Sequence, residues 1–384
     1  MDLVYLDNNA TTRPAPQVVE AMLPFLTDLY GNPSSVHRFG QRSRAAIDEA
    51  RAQMAGLIGC SDSEVIFTAG GTESINTAIR GLLTSRLPRK LVVTTTVEHS
   101  AVRELCRQLE REGAEIVEVP VDQDGELDMD RLAKVVTDET ALVTTMWANN
   151  ETGVLFDVEK IGQLCRSRGV PFHCDGTQAV GKILVDVKAV PIDVMSFAAH
   201  KFHGPKGIGG LFVRRGVRMR PLLIGGPQER NRRGGTENVP GIVGMGVAAE
   251  LAGQSLPKSG EIAHRRDRLE NSILSTIDDS HRIGRVDRRL PNTTNIGFAR
   301  LEAEAILLLL SEQGVCASAG SACSSGSLEP SPVILAMGID QRIAHGAIRF
   351  SLSRYTTDAE IDRVLAVLPA IIARLRKVLP VGAS

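Results

Sequence analysis

The chain has 384 residues and a net charge of −1, with 43% hydrophobic and 23% charged residues. That balance describes an ordinary globular protein and gives no electrostatic reason to expect a nucleic acid or an anionic membrane as partner. No apolar stretch approaches a membrane span, Ala305-Ile-Leu-Leu-Leu-Leu310 being far too short, and the first residues lack the basic and apolar zones of a signal peptide, so a cytoplasmic location is expected.

In chain order, Glu64-Val-Ile-Phe67 reads as a short buried strand leading through Thr68-Ala-Gly-Gly-Thr-Glu-Ser74 into a helix with Ile75, Ala78, Ile79 and Leu82 on one face. Residues 91–96 form a strand, followed by a helix carrying Val102, Leu105, Cys106 and Leu109. Residues 116–121, 141–147, 170–174, 193–197 and 210–214 are further buried strands, with a helix marked by Val158, Ile161, Leu164 and Cys165. Such alternation requires crossover connections, hence a mostly parallel sheet with helices on both faces. Strand ends then gather at one edge, where ligands bind in sheets of this kind. After about residue 255 a charged helix near Glu261, strands over 293–299 and 347–353, a Leu-rich helix and a last helix over 357–378 describe a smaller α+β unit. The expected division is a large α/β domain over 15–256 and a small α+β domain made of 1–14 and 257–384.

Lys201 follows the apolar run Val194-Met-Ser-Phe-Ala-Ala199, and Asp175 ends another, Phe172-His-Cys-Asp175. An ammonium is rarely left where apolar side chains converge, and desolvation turns it into a nucleophilic amine. A lysine and a carboxylate at adjacent strand ends fit pyridoxal phosphate, the amine on its aldehyde and the acid on its ring nitrogen; the competing reading is a surface lysine and a helix-capping aspartate. The turn Thr68-Ala-Gly-Gly-Thr72 opens a helix and offers free N–H groups to an anion, although by itself a plain turn is the better reading. It lacks the lysine of a nucleotide-binding loop. His99, at the end of the strand beginning at Leu91, shares that sheet edge and can carry protons near neutrality.

The six cysteines (60, 106, 165, 174, 316 and 323) form no Cys-x-x-Cys pair, so neither a disulfide framework nor a metal site is expected. Cys106 and Cys165 fall on core faces, and Cys316 reads as strand or core. Cys323, in Ala317-Ser-Ala-Gly-Ser-Ala-Cys-Ser-Ser-Gly326, is bracketed by small residues and glycines, which predicts a mobile loop.

The blocks Tyr5-Leu-Asp-Asn-Asn-Ala-Thr-Thr12, Gly31-Asn-Pro-Ser-Ser35, Gly71-Thr-Glu-Ser74, Val97-Glu-His99, Ala148-Asn-Asn-Glu-Thr-Gly153, Asp175-Gly-Thr-Gln178, His200-Lys201, Arg233-Gly-Gly-Thr-Glu-Asn238, Gly320-Ser-Ala-Cys323 and Arg349-Phe-Ser-Leu-Ser-Arg354 together resemble the cysteine desulfurases of the NifS/IscS type, in order and over the whole chain. The resemblance implies a fold-type I pyridoxal phosphate enzyme that converts L-cysteine to L-alanine and hands the sulfur to an acceptor such as an iron–sulfur scaffold. It implies that Lys201 holds the cofactor, Asp175 pairs with the ring nitrogen, Gln178 bonds the phenolic oxygen and His99 stacks on the ring. Gly71, Thr72 and His200 would bind the phosphate, with Thr236 reaching in from the second subunit of a homodimer. Asn150 and Arg354 would hold the substrate carboxylate, and Cys323 would take the sulfur as a persulfide, its thiol deprotonated by the site through His99. The alternatives are a selenocysteine lyase or another lyase or aminotransferase of the same fold, and a non-catalytic sulfur carrier. The Gly-Thr-Glu-Asn and Ser-Leu-Glu-Pro stretches look more like the nitrogen-fixation branch. One position departs from the pattern: Ala198 stands where many members carry a hydroxyl for the cofactor phosphate, which puts the affinity in doubt unless water or Ser196 fills the role.

Overall fold

The computed structural model describes residues 3–319 and 329–378; Cys323 and the loop expected around it lie outside the described residues. Twelve strands occur among them: β1 (Val4–Tyr5), β2 (Val65–Thr68), β3 (Leu91–Thr95), β4 (Glu115–Val119), β5 (Thr140–Met146), β6 (Phe172–Asp175), β7 (Val194–Ala198), β8 (Gly209–Val213), β9 (Ser280–Arg282), β10 (Thr293–Phe298), β11 (Val315–Cys316) and β12 (Ala347–Ser351). β2 to β8 form one seven-stranded sheet in the order β2-β8-β7-β6-β5-β3-β4. It is parallel from β7 through β4, while β8 runs antiparallel to both β7 and β2. The buried, β-branched and aromatic character of these strands is that of a sheet covered on both faces. Two strands begin or end short of their apolar runs because proline has no N–H for the ladder: β4 stops before Pro120 and β6 starts after Pro171.

Helices α1 (Pro16–Leu26), α2 (Arg38–Ile58), α3 (Gly71–Ser85) and α4 (Ser100–Arg111) cover the sheet together with later helices. α2 packs closely on the helix Val239–Ser255, where Gly246 passes Ala50 so tightly that an added Cβ would lie 2.6 Å from the Ala50 Cα. A second core gathers Val4, Leu6, Leu269, Ile296, Phe298, Ile306, Phe350 and Leu368. It sits around the antiparallel sheet β12-β10-β9 and the pair β1-β11. The two bodies of structure share apolar packing: Val333, Ile334, Met337 and Ala347 pack into the core of the large sheet.

One buried ion pair ties the sheet edge to the segment that carries Thr236. Arg51 donates to both oxygens of Glu229 (2.8 Å each) and to the Val65 carbonyl, and Glu229 also accepts from the Phe67 N–H. Both side chains are almost fully enclosed, and Glu229, Arg230 and Asn231 hold positive φ to reach this position. Glu229→Ala would leave a buried guanidinium without its partner, so a loss of about 3–5 kcal/mol in urea unfolding is expected.

Candidate functional site

The carboxyl ends of β3, β5, β6 and β7 open on a cavity of about 260 Å³. Gly71, Thr72, His99 and Asn150 line one part of it, and Asp175, Gln178, His200 and Lys201 the other. Sequence reasoning named all of these, and the crossover connections bring them to one edge. Arg354 is elsewhere: it borders a smaller adjoining pocket of about 40 Å³ and donates to Ser255 Oγ at 3.3 Å. Lys201 lines both pockets and so stands between Asn150 and Arg354. Thr236 lies on an exposed loop and does not line the cavity of its own chain.

Lys201 ends a short helical turn, Ala199–Lys201, directly after β7. Its Nζ donates to the carbonyls of Asn9 (2.7 Å) and Ala10 (2.8 Å). Asp175, the last residue of β6, accepts through Oδ1 from the Thr177 N–H (3.0 Å) and from Ser196 Oγ (3.3 Å). Ser196 lies beside it in register on β7 and is backed by His173 Nε2 (3.3 Å), whose Nδ1 meets Thr144 Oγ1 at 2.8 Å. Because Ser196 spends its proton on Asp175, the chain is consistent only with the His173 proton on Nε2 and Thr144 donating to Nδ1. Burial pushes the His173 imidazole down to about 4, so it is neutral at neutral pH. This relay removes Ser196 as a substitute for the hydroxyl missing at Ala198: its hydrogen and a lone pair are already committed within the sheet.

Gln178 is held from both ends. Its Nε2 donates to the Asn9 carbonyl at 3.0 Å and its Oε1 accepts from Lys182 Nζ. Lys182 is a donor at both contacts it makes here, the other being Asn9 Oδ1 at 2.8 Å, so the amide orientation of Gln178 follows from chemistry and leaves its second N–H for the cavity. Burial first, then the charges of Lys201 and Arg349, hold the Lys182 amine well below its ordinary value. Lys182, Asn9 and Arg349 were not given roles from sequence; the spacing of Lys182 one helical turn after Gln178 was the available signal.

His99 caps α4, its Nδ1 accepting from the Ala101 N–H at 3.1 Å. A neutral ring held this way carries its proton on Nε2 and offers it, so the expectation that His99 takes the Cys323 proton requires the other tautomer and loss of the cap. Burial lowers the His99 pKa, which keeps the ring neutral. At the opposite end of the cavity α3 begins at Gly71 with no side-chain cap. Glu73, which would repel an anion there, is paired with Arg233 at 2.9 Å. Burial and the charges of Lys201, Lys206 and Lys182 push His200 down to about 4, and its Nδ1 meets Thr11 Oγ1 at 3.1 Å. A carboxylate at one end, an uncapped helix start at the other and an amine between them fit the ring nitrogen, phosphate and aldehyde of pyridoxal phosphate.

Glu98, the neighbour of His99, is buried beneath the site and accepts from Thr95 Oγ1 (2.7 Å) and the Met146 N–H (3.0 Å). Burial outweighs those bonds and raises its carboxyl to about 8. A carboxyl raised on folding contributes stability that is complete below its unfolded value and is lost as pH rises through the folded one. Measured against Glu98→Gln, which removes this titration, wild-type stability should fall by about 1.4 kcal/mol per pH unit between about pH 5 and 8, read from urea midpoints. Parallel curves for the two proteins would show that Glu98 is ionised in the fold.

The aminotransferase class-V family matches residues 4–364. A cysteine desulfurase of Trichormus azollae is 54% identical over 381 residues, covering 99% of this chain and 95% of that protein. The cysteine desulfurase NifS of Azotobacter vinelandii is 52% identical over 98% of this chain and 94% of its own length. Among solved structures, a NifS-like protein superposes with a TM-score of 0.91 at 38% identity, covering 97% of this chain and all of that one. A structure described as SspA in complex with cysteine superposes at 0.82 and 33% identity, covering 92% and 99%. The fold is thus that of the fold-type I pyridoxal phosphate enzymes, and the chain belongs to the aminotransferase class-V family, in its cysteine desulfurase branch.

Proposed function

We propose that this cysteine desulfurase binds pyridoxal phosphate through Lys201 and carries the sulfur of L-cysteine away on Cys323. The observation that supports this most directly is the meeting of the Lys201 amine, Asp175 and Gln178 in one cavity at adjacent strand ends. When bound, the cofactor supplies an aldehyde for an amine and a ring that withdraws electrons from the α-carbon.

The protein's own groups then divide the work. Asp175, backed by Ser196 and His173, keeps a proton on the ring nitrogen, and the free N–H of Gln178 meets the phenolic oxygen. Gly71, Thr72 and His200 hold the phosphate, joined by Thr236 from a second copy of the chain. The homodimer this requires is supported by apolar exposure next to that loop, where Ile224 is 89% exposed. Asn150 and Arg354 hold the substrate carboxylate from either side of Lys201; a guanidinium fork suits that group. Lys201 Nζ, lying between Asn150 and Arg354, would be the base that takes the α-proton. The Cys323 thiolate would attack the substrate sulfur as the carbon–sulfur bond breaks. The carbon left with the electron pair would take the His99 Nε2 proton while His99 Nδ1, giving up the α4 cap, gains the proton the Cys323 thiol lost, and Lys201 would return its proton to the α-carbon. One thiol has gained a sulfur and one cysteine has become alanine, so atoms and electrons balance.

The five described cysteines support Cys323 as acceptor, because burial raises the thiol of each: Cys60, Cys106 and Cys165 to about 12, with Cys174 and Cys316 also raised. The persulfide passes to an iron–sulfur scaffold or another acceptor protein in the cytoplasm. Among the described residues no helix is long and apolar enough to cross a membrane, and no group of side chains could hold a metal ion.

Borohydride reduction of the yellow protein followed by peptide mapping should leave the pyridoxyl group on Lys201; finding it on the exposed Lys206 would overturn the assignment. Cys323→Ala should keep its visible band and still change it on addition of cysteine, yet release neither alanine nor sulfide, while Cys316→Ala stays active. Alanine production by Cys323→Ala at the wild-type rate would instead favour direct elimination of sulfur.

A further inference from the structure

Ala198 removes a hydroxyl from the end of β7, and Ser196 cannot replace it because its Oγ is bound to Asp175 and His173. The neighbouring strand end supplies another candidate. Thr177 sits between Asp175 and Gln178, and its backbone N–H is fixed on Asp175 Oδ1 at 3.0 Å. Its Oγ1 is buried and has no hydrogen-bond partner. A hydroxyl withdrawn from water without a partner costs free energy, and Thr177 lines the cavity, so a turn of its χ1 would bring this donor to an acceptor there. The position of that wall is given by Gly71: a Cβ built there would lie 3.5 Å from Thr177 Oγ1 and 3.5 Å from Ala198 Cβ. Those are ordinary contact distances, so glycine is not demanded by a clash. What the missing methyl leaves is a cradle bounded by the Thr177 hydroxyl, the methyl of Ala198 and the uncapped start of the fifteen-residue helix α3. The N–H groups of a helix start and an adjacent hydroxyl are the donors that a phosphate monoester takes.

We infer that Thr177 Oγ1 is a phosphate ligand of this chain, supplying from β6 the hydrogen bond that Ala198 no longer supplies from β7. The inference rests on the cofactor reading above and goes beyond it by naming a residue and a compensation between two positions. Thr177, in the turn after β6, and residue 198, at the end of β7, border the same cradle, so hydroxyls at the two positions should be redundant with each other.

The test uses the full chain stripped of cofactor and the fluorescence of Trp147, the single tryptophan. Its backbone N–H bonds the Asp175 carbonyl, which places the reporter next to the site. Dissociation constants are measured for pyridoxal phosphate, for inorganic phosphate and for pyridoxal, which has the ring and aldehyde without the phosphate. Thr177→Val keeps the shape and deletes the hydroxyl. It should weaken pyridoxal phosphate and inorganic phosphate about tenfold each, the size of one hydrogen bond to a charged group, and leave pyridoxal unchanged. Ala198→Ser should change the wild type less than about twofold and restore most of the loss in Thr177→Val, a non-additive pair. The proposal is overturned if Thr177→Val binds pyridoxal phosphate as tightly as wild type, or if it weakens pyridoxal to the same extent. It is equally overturned if Ala198→Ser tightens the otherwise wild-type protein tenfold, a result that does not depend on Thr177→Val folding. Failure of the underlying cofactor reading would show differently, as wild-type protein that forms no visible band with pyridoxal phosphate at all.

Discussion

Asn9 is the point on which the site depends. It is 1% exposed and uses its side chain in full: Nδ2 donates to the Asn150 carbonyl (3.1 Å) and Thr293 Oγ1 (2.8 Å), and Oδ1 accepts from Lys182 (2.8 Å) and Asn292 (3.1 Å). Its carbonyl accepts from Lys201 and Gln178, and its N–H donates to Ser351 Oγ. One residue near the N-terminus therefore joins β10 and β12 of the smaller sheet to the two cofactor-facing side chains on the larger one. A buried polar network of this kind is rigid when every member is satisfied and costly when one is removed. The fully buried Arg349 strengthens the same junction, donating to the Asn150 carbonyl (2.9 Å) and to Asp7 (2.7 Å). The amine of Lys201 is thus placed by the first residues of the chain as much as by its own strand.

The junction also sets the electrostatics. Lys182, Lys201, His200, His203 and Arg349 converge on it. Burial pushes His203 down to about 4, with Arg354 adding to the effect, and His200 reaches a similar value. The histidines stay neutral and burial also disfavours the charged form of Lys182, so the guanidiniums of Arg349 and Arg354 are the cations that leave the region electropositive. An electropositive, half-enclosed site favours a phosphate at one end and an amino-acid carboxylate at the other. Beneath it burial raises the carboxyl of Glu98 to about 8, so it does not cancel that field at neutral pH as an ionised group would, and burial raises the carboxyl of Glu151 as well.

The single antiparallel strand of the large sheet has a purpose in this arrangement. β8 lies between β7 and β2, so the turn that leaves β2 for α3 passes over the end of β8. Gly209 permits the approach: a Cβ there would sit 2.6 Å from the Gly70 carbonyl carbon. The start of α3 is thereby laid against the end of β7, close to Ala198 and Lys201. The uncapped start of α3 and the Lys201 amine are neighbours because two glycine-containing segments touch.

Much of this was legible in the residues. Apolar runs identified β2 to β8, β10 and β12 to within two residues, with misses where Pro120 and Pro171 cannot pair, the short β1 and β9 were not read, and the motif blocks named Lys201, Asp175, Gln178, His99 and the Gly71-Thr72 turn. Helices α1 and α2 were not read, since α2 is rich in charged residues and its buried positions include Ser43 and Arg51, which blurs the apolar stripe. Residue type and local periodicity are properties of short segments, and they were enough for the fold class, while the chemistry was read from the resemblance carried by the motif blocks. Which polar groups are already engaged is a property of neighbours distant in sequence. Only the tertiary structure decided that Ser196 serves Asp175, that Lys182 orients Gln178, that His99 holds its proton on Nε2 and that Thr177 keeps an unpartnered hydroxyl. The Ser196–Asp175 bond and the Asn9 contacts of Gln178 and Lys182 depend on strand order and register, which bring residues 21 to 173 positions apart within hydrogen-bonding distance, while His99 is set by the folded cap of its own helix.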